Sequence, residues 1–211
     1  MRKIILIIFF SILFFQNKYF SQIGNYGIKV AIQSAGVYSN IYGMDRFYGL
    51  SLYGFTDFII SKNIFSTIDF GVTQRGFKNS MDERNETGEF VQKVIATSKL
   101  TYISFASFIN VNLPLASSSI YFGTGPRFDF LTSKVQGEYS FTNVTVTDEL
   151  VNYLDKYIFG VSFIAGVKNI NFYGIDLRFE GKYEVDITDS MSKYPAEYRN
   201  NVFMVAVGIS L

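Results

Sequence analysis

The stretch IDLRFEGKYEVDI, residues 175–187, carries a charge at every second position. Asp176, Arg178, Glu180, Lys182, Glu184 and Asp186 alternate with Ile175, Leu177, Phe179, Gly181, Tyr183, Val185 and Ile187. In an extended chain successive side chains point to opposite faces, so one face here is all charge and the other nearly all hydrocarbon. The fold depends on which face is inside.

Period-2 alternation of this kind recurs in eight segments, near residues 26–38, 47–60, 64–78, 95–113, 119–135, 156–169, 172–188 and 201–211, and predicts eight half-buried strands. Phe203, Val205, Val207, Ile209 and Leu211 share one face of the last strand, with Met204, Ala206, Gly208 and Ser210 on the other. In the fifth, Ile120, Phe122, Phe128 and Phe130 oppose Gly123, Gly125, Arg127 and Asp129. Helical periodicity is confined to TVTDELVNYLDK (145–156), where Thr147 is placed to cap a short turn.

Volume decides between the faces. Eight strands with about four or five large apolar side chains each carry roughly 35, whereas an eight-stranded barrel is only wide enough to be filled by side chains or to hold one small ligand. Glycines are wasted on a solvent face but make room beside long inward charges. The expected fold is therefore all-β: an eight-stranded antiparallel up-and-down transmembrane β-barrel with a side-chain-filled interior. The rival, a soluble lipocalin-like ligand-binding barrel, has the faces reversed.

The N-terminus agrees with export. MRK is a basic start, IILIIFFSILFF (4–15) an apolar core of 12 residues, and QNKYFSQ a polar exit, the layout of a secretory signal peptide and too short for a spanning helix. The expected division is a signal peptide over 1–22 and a barrel domain over 23–211. Losing Arg2, Lys3 and Lys18 takes the net charge from +1 to −2, which leaves no basic footprint for nucleic acid. Tight turns are expected at 61–63, 114–118 and 169–171, and long connections at 39–46, 78–94, 136–156 and 188–200. In an up-and-down meander all short turns then lie at one end and all long loops at the other, as in bacterial outer-membrane barrels.

Little in the composition suggests catalysis. The chain has 23 Phe and 15 Tyr but no His and no Cys, which removes the Ser-His-Asp and Cys-His arrangements and leaves zinc or haem without its usual ligands. Glu184 and Asp186 share a strand face at roughly 7 Å, a spacing compatible with glycosidase chemistry, but inward salt bridging is the preferred reading. Asp82, Glu83, Glu86 and Glu89 form an acidic loop whose spacing matches no calcium-loop pattern. No enzyme activity, cofactor or metal is expected.

The candidate site is the inward charge network: Asp69, Arg75, Arg127, Asp129, Asp176, Arg178, Glu180, Lys182 and Glu184, joined by Lys29, Asp57, Lys168 and Asp186. Near-balanced charge suits pairing rather than a one-sign ion lining. With the seventh strand facing the third across the lumen, the expected contacts are Asp69–Arg178 and Arg75–Glu184.

In order and spacing the segments GIKVA (27–31), GLSLYGFTDFIISKNIF (49–65), DFGVTQRGFK (69–78), TYISFASFINVNLP (101–114), SIYFGTGPRFDFLTSK (119–134), GVSFIAGV (160–167) and IDLRFEGKY (175–183) resemble the PorT-type outer-membrane β-barrel domain common in Bacteroidetes. The resemblance covers nearly all of the chain beyond residue 22. It implies an outer-membrane location and carries an association with protein secretion. The expected role is non-enzymatic, structural or interactive in the cell envelope. The expected partners are outer-membrane lipid and, through the long loops, envelope or secretion proteins, with the barrel itself monomeric. A narrow porin-like channel for ions or small solutes is the alternative.

Overall fold

A computed structural model describes residues 22–39, 45–84, 87–115, 117–139, 154–190 and 198–211. Eight strands follow one another: β1 (Gln22–Ser39), β2 (Asp45–Ser61), β3 (Ile64–Arg84), β4 (Phe90–Pro114), β5 (Ser119–Tyr139), β6 (Tyr157–Phe172), β7 (Ile175–Asp186) and β8 (Tyr198–Ser210). Each pairs antiparallel with its chain neighbour, and β1 returns to β8 from Gly27↔Ser210 to Ser39↔Tyr198. The result is a closed eight-stranded barrel, which leaves no unpaired sheet edge. Among the described residues no helix is long and apolar enough to cross a membrane, and the expected signal peptide lies outside them except for Gln22. The expected turn of helix also falls outside them, apart from Leu154–Lys156, which are irregular.

Two boundaries differ from the sequence expectation. The ladder between β3 and β4 continues beyond Lys78↔Thr97 to Arg84↔Phe90, so most of the expected 78–94 loop is a hairpin extension. The third tight turn is Tyr173–Gly174, not 169–171. Both residues have positive φ, 51° and 85°, the requirement of a type I′ hairpin turn. Asn169, also at positive φ (61°), instead marks a bulge where the β6–β7 register shifts between Val167 and Ile170.

The two faces lie as the volume argument requires. Outward stand exposed Ile28, Val30, Ile32, Leu50, Leu52, Phe70, Phe122, Phe163, Phe179 and Val207. Inward, among the described residues, six cations (Lys29, Arg75, Arg127, Lys168, Arg178, Lys182) and six carboxylates (Asp57, Asp69, Asp129, Glu180, Glu184, Asp186) are buried. Inward glycines sit directly across from the longest inward side chains: Gly160 from Arg127, Gly166 from Tyr121, Gly208 from Lys29. A Cβ at Gly160 would meet Arg127 Nη2 at 2.8 Å, and one at Gly166 the Tyr121 hydroxyl at 2.7 Å.

At the end bearing the long connections an apolar cluster lies inside the wall formed by β3 to β6. Leu154 packs there on Phe77, Leu100, Tyr102, Leu131 and Ile158, and its segment is tied down by Leu131 N–H to Lys156 O at 2.9 Å and Asp155 N–H to Ser190 O at 2.8 Å.

Candidate functional site

Strand β7 brings Arg178, Glu180, Lys182, Glu184 and Asp186 down one line of the lumen, because alternate residues of a strand share a face. Each meets partners from other strands, and the charges separate into two linked groups along the axis. The first lies nearer the tight turns. Arg178 is held by Asp57, which also faces Lys168 at 3.5 Å. Lys29 joins Asp69 and Glu180, both at 2.8 Å, and Lys182 donates to Asp69 at 3.0 Å. Tyr121 donates its hydroxyl to Glu180 at 2.5 Å.

The second group holds two arginines together through three carboxylates. Arg75 contacts Asp129 and Glu184, each at 2.7 Å; Arg127 contacts Asp129 at 2.8 Å, Glu184 at 2.9 Å, and Asp186. Asp186 also accepts from Asn200 Nδ2 at 2.9 Å and Ser190 Oγ at 3.2 Å. All five charged side chains of this group are at most 1% exposed. Guanidinium forks matched to carboxylates give such pairs their strength and their fixed geometry.

The expected network is thus largely assembled, with two corrections. Arg75 and Glu184 do meet, but Asp69 and Arg178 are not partners: Asp69 takes Lys29 and Lys182, while Arg178 takes Asp57 from β2. Lys29 of β1 and Asp57 of β2 reach the level of Asp69 and Arg178 and take them as partners. Asp176 stands apart at the tight-turn mouth, half-buried, where it accepts from Asn171 Nδ2 at 3.1 Å. Without it the buried charges balance six to six. Glu184 and Asp186 are both consumed by arginine contacts, so they form no free carboxylate pair. In the acidic loop, Glu86 and the side chains of Asp82 and Glu83 lie outside the described residues; Glu89 is exposed.

Alternation alone had assigned the bulky apolar side chains to the outer face, yet aromatic rings line much of the interior. Arg178 lies over Phe55 with 4.2 Å to the ring centroid, Lys182 over Tyr53 at 4.6 Å, and Lys168 over Phe65 at 3.2 Å. These cation–π contacts give the cations a second set of partners. A neutral polar cluster, in which Ser51 Oγ and Thr73 Oγ1 both donate to Gln33 Oε1 at 2.9 and 3.0 Å, continues the packing between them. Parity counted from Asp57 and Asp69 points to Tyr53, Phe55 and Thr73 as inward, and that was the signal available.

Outside the barrel, rings gather at both ends of the apolar face. Phe128 lies 5.9 Å from Tyr157 and 5.0 Å from Phe159 toward the long connections, and Phe172 lies 4.8 Å from Tyr173 at the tight turns. Amphipathic rings concentrate at membrane–water interfaces.

No family model matches the chain, and no curated protein matches it in sequence. Solved structures resemble it in shape. They include Neisserial surface protein A (10% identity, covering 90% of this chain and 99% of that one, TM-score 0.49). The attachment invasion locus protein Ail of Yersinia pestis is similar at 15% identity over 90% and 100%, TM-score 0.46. The outer membrane protein OprG of Pseudomonas aeruginosa is similar at 10% identity over 89% and 96%, TM-score 0.43. These are likenesses of overall shape and bring no activity to this chain.

Proposed function

We propose that this chain is an exported outer-membrane barrel of a bacterial envelope that works without catalysis, offering its long-loop end to other envelope proteins while its interior stays closed. The observation that carries the reading is the reversal of faces: among the described residues twelve balanced charges are buried inside and large apolar side chains stand exposed outside. Water would favour the opposite arrangement, whereas a bilayer favours this one. The ring clusters at the two ends of the apolar face fit the two interfaces of such a bilayer.

The resemblance of its ordered segments to PorT-type barrels of Bacteroidetes supports a station beside a protein-secretion machine. The export signal read at residues 1–22 supports passage to the periplasm. Conduction is disfavoured because paired charges and inward rings occupy the lumen.

Fractionation and electrophoresis test the location. The protein is expected in the outer-membrane fraction, to need detergent, and to change mobility on boiling. A detergent-free periplasmic protein would overturn the reading. In a planar bilayer the refolded barrel is expected to be silent, and stepwise single-channel currents would move it to the transport class. Clean deletion, scored for secretion and envelope integrity, tests the role itself; normal secretion in the deleted strain would remove the secretory part.

A further inference from the structure

Toward the long connections, the outward face of β8, β1 and β2 is indented. Ser34 lies in register between Phe203 and Tyr48, so a small side chain forms a floor between two exposed rings. In the next row Ile32 lies between Val205 and Leu50. On the other side β2 carries one residue too many for β3: Phe47–Leu50 face Gln74–Gly76 between the pairs Arg46↔Phe77 and Ser51↔Thr73. An extra residue bends its strand and interrupts the ladder, and the Gln74 carbonyl there accepts from the Gln33 side chain instead. The outcome is a groove of ≈ 720 Å³ that reaches Lys99 on β4, within the range of about 300–1,000 Å³ common for small-ligand sites.

The row above changes chemistry. Gly36 presents no side chain, and the Arg46 guanidinium lies across it to donate to Asn201 Oδ1 at 3.2 Å. A Cβ at Gly36 would meet Arg46 Nε at 3.4 Å. Among the described residues this is the bond the exposed guanidinium makes, and an arginine carries five N–H donors. Among the described residues no carboxylate lines the groove.

We propose that this groove binds one phosphate-bearing lipid, with an acyl chain over Ser34 and Ile32 between the rings of Phe203 and Tyr48, and the phosphate on Arg46. The inference rests on the membrane reading. Hydrocarbon along the floor and a guanidinium one row beyond it match a molecule that is apolar along its length and anionic at its head. Arginine binds phosphate oxygens through paired N–H donors, and a zwitterionic head would present its own cation to the same guanidinium.

The test is titration of the detergent-solubilised full barrel with chain-matched phosphatidylglycerol and phosphatidylcholine, read by native mass spectrometry. The wild type is expected to hold phosphatidylglycerol about tenfold more tightly, the scale of one charge-assisted contact. Arg46→Gln should bring the two lipids to parity. Ser34→Phe, or Ser34→Leu if the larger ring impairs folding, should weaken both lipids about tenfold by filling the floor. Ala165→Phe, an equal insertion on the outward face of β6, should leave both unchanged. Equal binding of the two lipids by the wild type overturns the site, as does a preference that survives Arg46→Gln. A boiling-dependent mobility shift, run on every sample, separates the readings. A shifting barrel without lipid preference refutes the site alone, whereas a chain soluble without detergent refutes the membrane reading as well.

Discussion

Arg75 and Glu184 meet at 2.7 Å inside the barrel although 109 residues separate them along the chain. The same Glu184 oxygen also accepts from Arg127 at 2.9 Å, so one carboxylate ties three strands, β3, β5 and β7, at a single level.

Breaking that tie should be expensive. Removing one partner of a buried ion pair strands the other and costs about 3–5 kcal/mol. Arg75→Ala is therefore expected to lower the guanidinium unfolding midpoint of the detergent-refolded barrel far more than Lys62→Ala in the exposed first turn. Equal midpoints for the two variants would contradict the buried tie.

Arg178 should couple to Asp57 and only weakly to Asp69. In a double-mutant cycle, Asp57→Asn with Arg178→Gln is expected to show a coupling energy at least about 1 kcal/mol larger than Asp69→Asn with Arg178→Gln. The reverse ranking would restore the pairing that the alternation pattern alone suggests.

Glycines on the two faces should behave oppositely. A Cβ at inward Gly160 meets the Val185 carbonyl at 2.6 Å as well as Arg127, so Gly160→Ala is expected to destabilise by about 1–3 kcal/mol through overpacking. At outward Gly181 the nearest atom is 3.9 Å away, and Gly181→Ala should be neutral or stabilise by about 0.4–1 kcal/mol through the unfolded chain. Unfolding midpoints of the two variants decide it.

The last hairpin depends on backbone handedness. Gly174 has φ 85°, a region that L side chains enter at about 1–2 kcal/mol. Gly174→Ala should lower the unfolding free energy by that amount while leaving detergent-refolded yield intact, whereas an unchanged unfolding free energy would argue against the I′ turn.

Strand number, order and facing were legible in the sequence because period-2 alternation reports a face directly, and 175–187 reports it without interruption. Partners across the lumen were less so. Parity tells that Asp69 and Arg178 both point inward, but the level each reaches depends on bulges such as those at Asn169 and at Phe47–Leu50, and alternation is blind to these. The inward rings were missed for a different reason: Tyr53 and Phe55 are bulky and apolar, and a rule that sends bulk outward overlooks what cations need above them. The outward groove was equally hidden, since Ser34 between Tyr48 and Phe203 is a relation among three strands that no single segment contains.

The balance of the interior also bears on how the barrel comes together. Lys29 reaches Glu180 across 151 residues and Arg178 reaches Asp57 across 121, so a growing sheet carries bare charges on its concave side until the strands at opposite margins have arrived. A ring without β7 would leave Asp57 without Arg178, and Arg75 and Arg127 without Glu184, so the interior gains its full set of ion pairs only once the seventh strand has joined.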